Sequence, residues 1–531
     1  MDIKRFDFNQ NWLKNIEVYR YWKDRPVVYF LKNNKEAYVW ESINVYNRCK
    51  QHMNDKNKSL LKQIYVITDA ESNKSATLDI ESDLIQYLAA DWSNLLLNSN
   101  GGLKNHEYYN RKNYKAKFEL IWDYFLNNKI VKHTLFDLKN SDLFKFSPYK
   151  SLTSEQKSIV NDIVYNMKHS TNVNQFLIHW KPWTWKTILW VYLVKFLKEQ
   201  LFSKDLEIWI VIPMTWLRKT IKKIFSKIKN LSSSMVLWPH DVVKKRYDIL
   251  IVDEAHRLKR RKNITNFQAF DNINKKLSLW DEWNQLNWIN YRSKFQIFLY
   301  DEWQSILPAD IDASMFRRMK AKEYSLQSQM RLREGEWYLD FIDDLFNLSI
   351  WKNNKKYELW KYKFKIFDNI WDFKNNILMC EEKYKLSRMV AWYAWPWKSK
   401  WDKSWNIIDI KIESESFCWN SVIWWDRINS NNAINEVWCI HTVQGYDLNY
   451  VWVIIWNEIW YDNIRQKIII RPENYHDRNW KRWINKDELF FYIINIYKTL
   501  LSRWILWTYI YVIDKNLKEY IKNSMKYIED N

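Results

Sequence analysis

One eight-residue segment has the spacing of a phosphate-binding loop, except that tryptophan stands where glycine belongs. The segment reads Trp180-Lys181-Pro182-Trp183-Thr184-Trp185-Lys186-Thr187. With glycine at each tryptophan it becomes G-K-P-G-T-G-K-T, whose backbone N–H groups surround phosphates. Its lysine would contact the β- and γ-phosphates, and its final threonine would bind Mg²⁺. The segment therefore predicts a site for ATP and Mg²⁺, which literal Trp183 and Trp185 side chains would fill.

The composition of the whole chain supports reading glycine at most tryptophans. The chain has 36 tryptophans but only 4 glycines in 531 residues. Together these counts come close to the roughly 37 glycines of an average chain of this length. We infer that most positions printed as tryptophan are encoded by UGA, a codon that the source organism reads as glycine. The alternative, a genuinely tryptophan-rich stacking protein, leaves the glycine deficit unexplained. Trp395, Trp397 and Trp419 lie in apolar surroundings and are expected to be genuine.

A second segment combines a buried strand with paired acids. The apolar run 249–252 ends directly in Asp253 and Glu254. Asp253 would hold Mg²⁺ through water, and Glu254 would polarise the water that attacks the γ-phosphate. Downstream of a phosphate loop, this pair predicts nucleotide hydrolysis.

The order of these and other motifs resembles that of superfamily-one helicases, and more narrowly the Schlafen group-3-like helicase domain. The resemblance covers about residues 146–515. The supporting segments are 212–219, 253–260, 300–305, 329–331, 441–447 and 501–504.

The resemblance implies roles for single residues. Gln156 would recognise adenine, and Gln304 would sense the γ-phosphate. Arg331 and Arg503 would act as arginine fingers that stabilise charge in the transition state. The residues implied to link the nucleotide to the nucleic-acid groove are Gln444 and Gly445.

The resemblance leaves three interpretations of the whole protein open. Asp447 stands where helicases often have glutamate, which is a mild departure. The leading interpretation is an ATP-driven helicase or translocase that carries a nuclease. The second is a nucleic-acid-stimulated ATPase switch with a binding-only N-terminal domain. The third, if the tryptophans are real, is an inactive nucleic-acid-binding relative.

An ordered series of polar and aromatic residues near the N-terminus resembles the GIY-YIG nuclease fold over about residues 25–105. The first motif has Val-Tyr-Phe in place of Gly-Ile-Tyr but keeps a tyrosine. The second motif becomes Tyr-Val-Gly when Trp40 is read as glycine. The series is Tyr29, Tyr38, Arg48, His52, Glu81 and Asn98.

The chemistry of this series fits Mg²⁺-dependent hydrolysis of a phosphodiester. Glu81 would bind the metal ion, and Tyr29 would activate or orient water. Arg48 would stabilise charge on the phosphate, and Tyr38 would complete the hydrogen-bond network. His52 is a weaker candidate. Loss of catalysis with retained binding is an open alternative.

These motifs need an α/β framework to position them. We expect an N-terminal lead over 1–24, a small α/β GIY-YIG-like domain over 25–105 and a helical connector over 106–145. From Phe146 onward, apolar strands alternate with helices, which predicts parallel sheets. Two RecA-like parallel-sheet layers of a P-loop NTPase are expected over 146–330 and 331–531.

Charge and cysteine content bound the partners and the compartment. Net charge is +21, from 83 basic and 62 acidic residues, which indicates a nucleic-acid partner, with DNA favoured over RNA. Lysine enrichment in an AT-rich genome would explain the charge equally well. Four scattered cysteines and the absence of an apolar run of 18 residues predict a cytoplasmic protein without a membrane span. The sequence leaves the oligomeric state open.

Overall fold

The computed structural model divides the chain into two compact units. The first contains Met1–Lys168, Thr187–Trp209 and Arg218–Val236, and the second contains His169–Lys186, Ile210–Leu217 and Leu237–Asn531. The described residues are 1–15, 25–69, 71, 73–98, 101, 111–141, 144, 152–169, 172–180, 186–200, 206–226, 228, 231–264, 266–280, 282–326, 336–352, 357, 364–400, 407–420, 433–443, 448–476, 484–502 and 504–530.

The first unit contains a five-stranded sheet in the order β1-β4-β2-β3-β5. Neighbouring strands pair antiparallel except β3 and β5, which are parallel. The first strand falls within the expected lead, so the sheet extends into that segment. The strands are β1 (Asp2–Asp7), β2 (Val27–Lys32), β3 (Glu36–Ser42), β4 (Gln63–Thr68) and β5 (Leu95–Leu96).

Both faces of this sheet are covered, because its strands alternate apolar side chains on both sides. One face packs Tyr29 and Tyr38 with Cys49 of α2. The other packs Phe30 with helices α3 and α4, the latter from the expected connector. The helices from the N-terminus to residue 225 are α1 (Gln10–Asn15), α2 (Val45–Met53), α3 (Lys74–Asp91), α4 (Arg111–Asn127), α5 (Leu135–Asn140), α6 (Ser154–Lys168), α7 (Lys186–Gln200) and α8 (Thr215–Phe225).

The second sheet has six strands in the order β11-β6-β10-β9-β7-β8. Its central strand β10 pairs parallel with both β6 and β9, and β11 pairs parallel with β6. The strands are β6 (Gln175–Trp180), β7 (Ile208–Val211), β8 (Val236–Leu237), β9 (Tyr247–Val252), β10 (Ser293–Tyr300) and β11 (Lys322–Leu326). The helices of this region are α9 (Phe267–Lys276), α10 (Gln285–Arg292) and α11 (Ala313–Arg317).

The third sheet has seven strands in the order β12-β20-β17-β13-β16-β15-β14 and is parallel apart from β14, which pairs antiparallel with β15. Its strands are β12 (Phe364–Phe367), β13 (Ser387–Ala391), β14 (Ile410–Ile412), β15 (Glu415–Trp419), β16 (Glu436–Cys439), β17 (Leu448–Ile455) and β20 (Trp504–Val512), and a separate hairpin is β18 (Ile459–Asp462) with β19 (Lys467–Ile470). The helices are α12 (Glu336–Phe346), α13 (Ile370–Tyr384), α14 (Ile440–Val443), α15 (Lys486–Leu501) and α16 (Lys515–Asp530). Short 3₁₀ helices lie at Lys58–Leu60, Ser233–Met235, Pro239–Lys244, Ala255–Arg257, Glu302–Gln304, Lys398–Lys400, Ala433–Asn435 and Pro472–Asn474.

These sheets confirm the predicted α/β class. A small sheet packed with helices comes first along the chain, and two parallel-sheet layers follow. Among the described residues, no helix is long and apolar enough to cross a membrane.

Candidate functional site

Three parallel strands bring the predicted nucleotide-site segments to one edge of the second sheet. In the register of β10, Tyr300 lies beside His179 of β6, and Phe298 lies beside Val252 of β9. The three strands therefore end close together, and the phosphate-loop segment, Asp253 and Asp301 each follow one of these ends. This is the edge at which open α/β sheets bind ligands.

Glu254 is held in a constrained position. Its backbone adopts the left-handed conformation, with φ 53° and ψ 47°, which is uncommon for a residue with a side chain. Its N–H donates to the Asp253 carboxylate at 2.9 Å, and both residues are fully buried. Glu254 Oε2 lies 2.9 Å from Nε2 of the buried His256. Sequence reasoning gave His256 no role, although it belongs to the Asp-Glu-Ala-His string.

The segment after β10 connects the predicted γ-phosphate sensor to helix α15. Gln304 is buried, and its Nε2 donates to Asp301 Oδ2 at 2.5 Å. Thr499 of α15 donates to the Trp303 carbonyl at 3.2 Å, and Asn495 donates to the Ser305 carbonyl at 3.3 Å. Helix α15 ends at Leu501, shortly before the predicted arginine finger Arg503. The segment that contains Gln304 is therefore hydrogen-bonded to α15 on both sides of this residue.

Several predicted site residues lie outside the described residues. Trp180 is described: it is buried and ends β6. The predicted residues for which no position or no side chain is described are Pro182, Trp183, Thr184, Trp185, Lys186, Thr187, Arg331, Gln444, Gly445 and Arg503.

Gln156, the predicted adenine reader, has a local structural role. Its Oε1 accepts from the Thr153 N–H at 3.1 Å, and its own N–H donates to Thr153 Oγ1 at 3.1 Å. This reciprocal pair is a capping box at the start of α6. The side-chain oxygen of Gln156 is therefore engaged with the helix terminus.

In the first unit, Tyr29 and His52 form a buried hydrogen-bonded pair. Tyr29 Oη lies 2.8 Å from His52 Nε2. Burial, Lys58 and Arg48 together lower the pKa of His52 to about 4, so its ring is neutral near pH 7. Burial raises the pKa of Tyr29 well above its ordinary value, and Arg48 opposes this only in part. Both groups are therefore neutral near pH 7, and the hydrogen bond joins a neutral phenol to a neutral imidazole.

Arg48 and Tyr38 lie on the same face as this pair. Arg48 and His52 are one turn apart on α2, and the ring of Tyr38 meets the ring of His52 edge-on at 5.1 Å. Trp40 stacks on Tyr38 at 5.9 Å, and the Arg48 guanidinium lies 5.0 Å from the centre of the Trp40 ring. The Lys58 ammonium also lies 4.4 Å from the centre of the Tyr38 ring, so two basic side chains approach these aromatic rings.

Glu81 approaches the site from the opposite face of the sheet, on α3. Its side chain is buried, and burial followed by the charge of Glu41 raises its pKa to about 7. Its charge in turn raises the pKa of both Tyr29 and Tyr38, so the carboxylate lies within electrostatic range of the tyrosines. Glu81 is therefore carried by α3, across the sheet from the α2 face that holds Tyr29, Tyr38 and His52.

Asn98 braces the second tyrosine motif. Its side-chain amide accepts from the Val39 N–H at 3.0 Å and donates to the Val39 carbonyl at 2.7 Å. Both hydrogen bonds are buried, so Asn98 fixes the strand that carries Tyr38.

Within the described ranges there is no cluster of three or more His, Cys, Asp or Glu side chains that could bind a metal ion. Water and substrate oxygens would complete the coordination of an ion bound by carboxylates here.

Comparison with known proteins identifies the family of the larger region. Residues 193–514 match the family described as "Schlafen group 3, DNA/RNA helicase domain". An uncharacterized protein of Saccharomyces cerevisiae is 25% identical over 360 residues, which cover 60% of this chain and 75% of the yeast protein.

The solved structures to which this chain is similar include helicases, at low identity and with low TM-scores. The Pif1 helicase from Candida albicans is 11% identical, with 70% of this chain and 99% of that chain covered and a TM-score of 0.29. A structure described as DNA unwinding at forked dsDNA by two coordinating Pif1 helicases is 18% identical, with 43% of this chain covered and a TM-score of 0.21. This chain spans 57% of the length of that Pif1 chain. Since the family match extends over more than half of the sequence, the chain belongs to the Schlafen group 3 DNA/RNA helicase domain family.

Proposed function

We propose that the chain is an ATP-dependent, Mg²⁺-dependent helicase or translocase that acts on nucleic acid, with DNA preferred over RNA. The observation that carries this proposal is the common edge at which β6, β9 and β10 end, with Asp253, Glu254 and the Asp301–Gln304 hydrogen bond gathered there. Asp253 would hold Mg²⁺ through water, and Glu254 would orient the attacking water. Arg331 and Arg503 would stabilise the charge of the transition state.

Substitution of the phosphate-loop lysine tests the ATPase. In a protein with glycine restored at positions 180, 183 and 185, Lys186→Ala should lower ATP turnover about a hundredfold or more, because a charge that stabilises the transition state is lost. Lys276→Ala, which removes an exposed lysine of α9 outside the loop and outside the helicase motifs, serves as the control. Unchanged turnover in Lys186→Ala would refute the phosphate-loop assignment. Unwinding of a short duplex separates the motor from an ATPase switch, which would hydrolyse ATP without separating strands.

The nucleic-acid partner is tested by salt dependence. Binding through phosphate contacts releases counterions, so affinity should fall by about 10³ or more between 50 and 200 mM salt for six or more contacts. Fluorescence anisotropy with labelled single-stranded DNA and RNA of one sequence measures this slope and the preference between the two. An affinity that does not change with salt would contradict a basic binding groove. The net charge of +21 would then be explained by the lysine enrichment of an AT-rich genome.

A second activity, Mg²⁺-dependent cleavage of phosphodiesters in the manner of GIY-YIG nucleases, is proposed for the N-terminal unit. The Tyr29–His52 hydrogen bond supports it, because it fixes the Tyr29 hydroxyl in one position, from which the phenol can orient water. Glu81→Ala should abolish nicking of plasmid DNA and leave ATP turnover unchanged, whereas Lys186→Ala should do the reverse. Nicking that persists in Glu81→Ala would exclude Glu81 as the metal ligand. DNA binding without nicking in the unmodified protein would favour the binding-only alternative.

Glycine recoding is part of the proposed function, because both sites require it. Trp92 supports it: this residue follows α3 in the left-handed conformation, with φ 60° and ψ 16°, the position that glycine favours at helix ends. The codons at positions 40, 180, 183 and 185 in the source gene test the proposal. UGA in a genome that reads it as glycine restores both sites, whereas UGG makes the tryptophans real and both sites inactive.

A further inference from the structure

A short β-hairpin of the second unit lies outside the three large sheets. Strands β18 and β19 form a separate two-stranded sheet whose last pair is Asp462 with Lys467, so residues 463–466 form the tip. All four tip residues are exposed. Ile464 is 95% exposed, the highest value for a large hydrophobic side chain among the described residues. Single exposed apolar side chains are common on protein surfaces, so the surroundings decide whether this one has a function.

The base of this hairpin is fixed to the core of its layer. Tyr461 stacks on Tyr520 of α16, with ring centres 4.6 Å apart and ring planes 20° apart. The Tyr461 N–H donates to Asp514 Oδ1 at 3.4 Å, and the Arg471 N–H donates to the Glu458 carbonyl at 2.7 Å. The side chains of the two strands that belong to the hydrophobic core are Ile459, Tyr461, Ile468 and Ile470. The tip is therefore carried on a rigid support.

The turn at the tip has a defined conformation as well. Asp462 Oδ1 accepts from the Ile464 N–H at 2.9 Å and from the Arg465 N–H at 3.1 Å. An aspartate that bonds the backbone two residues on in this way restricts a turn. Gln466 closes the turn in the left-handed conformation, with φ 48°. Local hydrogen bonds therefore keep an apolar side chain in water at a fixed position.

Basic side chains flank the exposed isoleucine. The Arg465 side chain is 74% exposed, and Lys467 at the start of β19 is exposed. Arg465 Nε lies 3.9 Å from Asp462 Oδ2, and an exposed pair at this distance contributes little. The Arg465 guanidinium can therefore exchange this contact for a phosphate. Proteins that insert apolar wedges such as isoleucine between base steps place basic side chains beside them.

We propose that the hairpin tip at Ile464 is a wedge that enters the junction of a base-paired nucleic acid, with Arg465 and Lys467 on the phosphates beside it. The inference rests on the proposed helicase function and names the part of the chain that separates the strands. An apolar side chain that takes the place of the neighbouring base offsets part of the cost of unstacking. Because the hairpin is fixed to its layer, translocation would drive the tip against the next base pair.

Fluorescence of a base analogue at the junction tests the wedge without ATP. A forked DNA duplex carries 2-aminopurine in the first base pair, where fluorescence rises when the base leaves the stack. The full-length chain, with glycine restored at positions 180, 183 and 185, should produce this rise. Ile464→Ser should lose most of the rise at saturating protein, whereas Ile464→Leu, which keeps an apolar tip, should retain it. Arg465→Gln should reach the same final fluorescence but require severalfold more protein, because a phosphate contact is lost.

The number of strands separated per ATP hydrolysed is the second measurement. On a short forked duplex, Ile464→Ser should lower this ratio about tenfold, because the contact that replaces base stacking is lost. Ile408→Ser removes an isoleucine outside the hairpin that is 49% exposed. This variant is the matched control and should keep the ratio of the unmodified chain.

The outcomes separate the wedge from the motor. No rise in junction fluorescence with the unmodified chain, or an equal rise with Ile464→Ser, would overturn the wedge. Strand separation per ATP that is unchanged in Ile464→Ser would also overturn it, leave the helicase proposal standing and favour another protein as the partner of the tip. Equal losses in Ile464→Ser and Ile464→Leu would contradict a role for the apolar side chain. An Ile464-dependent rise in a chain that hydrolyses ATP without separating strands would keep the wedge and refute the helicase proposal.

Discussion

The N-terminal unit and the first parallel-sheet layer position their acids in different ways. In the parallel layer, Asp253 and Asp301 follow neighbouring strands, so one edge of one sheet collects them. In the N-terminal unit, Tyr29 and His52 lie on one face of the sheet, while Glu81 reaches the site from a helix on the other face. The first arrangement depends on strand order alone, whereas the second depends on antiparallel register and on two helices. We therefore expect single substitutions to disturb the N-terminal site more readily.

The two regions also differ in how they use a buried acid. Glu81 and Glu458 both have a pKa raised to about 7. For Glu81, burial and the charge of a second carboxylate, that of Glu41, are the causes. For Glu458, burial is the cause, and the Tyr497 hydroxyl donates to its carboxylate. Glu458 therefore has a hydrogen-bond donor, and no neighbouring carboxylate is among the causes of its pKa shift. This environment fits a structural role for Glu458.

The largest expected effect tests the role of the Tyr29 hydroxyl in the N-terminal site. Tyr29→Phe removes the hydroxyl that contacts His52, and it should lower the nicking rate about a hundredfold or more. ATP turnover should not change. The nicking rate should show no titration of His52 between pH 5 and 8, because its pKa of about 4 keeps the ring neutral there. Rates of plasmid nicking across this pH range measure both effects.

The control for this substitution is another tyrosine of the same sheet. Tyr65→Phe in β4 removes a hydroxyl on the α3 face and should leave nicking intact. Equal losses of nicking rate in both variants would mean that removing a tyrosine hydroxyl lowers the rate by destabilising the fold, and not by removing a group that acts on water. A nicking rate that rises with a midpoint near pH 6.5 would contradict the lowered pKa of His52.

Much of the parallel region could be predicted from the sequence. Apolar runs such as 249–252, followed directly by acids, predict both the strand and the place of its catalytic end, because parallel strands expose their carboxyl ends at one edge. For the N-terminal site, the sequence predicts the residues of the series but not the side chains that contact them. The contact between Glu41 and Lys74 depends on how α3 packs against β3, and no spacing in the sequence encodes it. Likewise, the capping role of Gln156 arises from the start of α6, which competes locally with any ligand.

An intermediate effect concerns Glu458 and stability. Its folded-state pKa of about 7 lies above the ordinary 4.5, so between these values the folded chain holds more protons than the unfolded chain. The free energy of unfolding should therefore fall as pH rises from about 4.5 to 7, by at most about 3 kcal/mol from this group. Glu458→Gln, which stays neutral, should lose the part of the decline that comes from this group, while the raised pKa of Glu81 keeps the rest. Denaturant unfolding at several pH values measures it.

The exposed Glu473 provides the matched control for Glu458. Glu473→Gln should keep the decline in stability with pH, because it replaces an exposed side chain and leaves the buried Glu458 in place. A decline of undiminished size in Glu458→Gln would assign it to other groups. It would also remove the contrast between a structural acid in the second layer and the proposed metal ligand of the N-terminal unit.

The smallest expected effect bears on the recoding that both regions share. Two tryptophans of the first unit differ in what a glycine would do. Trp92 follows α3 in the left-handed conformation, which costs roughly 1–2 kcal/mol for a residue with a side chain. Trp122 of α4 is fully buried, and its Nε1 donates to the His133 carbonyl at 3.0 Å. Trp92→Gly should therefore stabilise the unit by about 1 kcal/mol or less, since glycine also loses more chain entropy on folding.

Trp122→Gly should by contrast destabilise the same unit by about 3–5 kcal/mol, because it empties a core site and leaves the His133 carbonyl without its donor. Thermal unfolding of the two variants measures both effects. Lys129→Gly, another position with positive φ, separates backbone strain from the loss of the indole ring. The same physical difference predicts the codons: UGA at position 92, where the backbone favours glycine, and UGG at position 122, where the core requires an indole. The reverse assignment would mean that recoded positions do not follow backbone conformation, and the tryptophans of both sites would then have to be judged one by one.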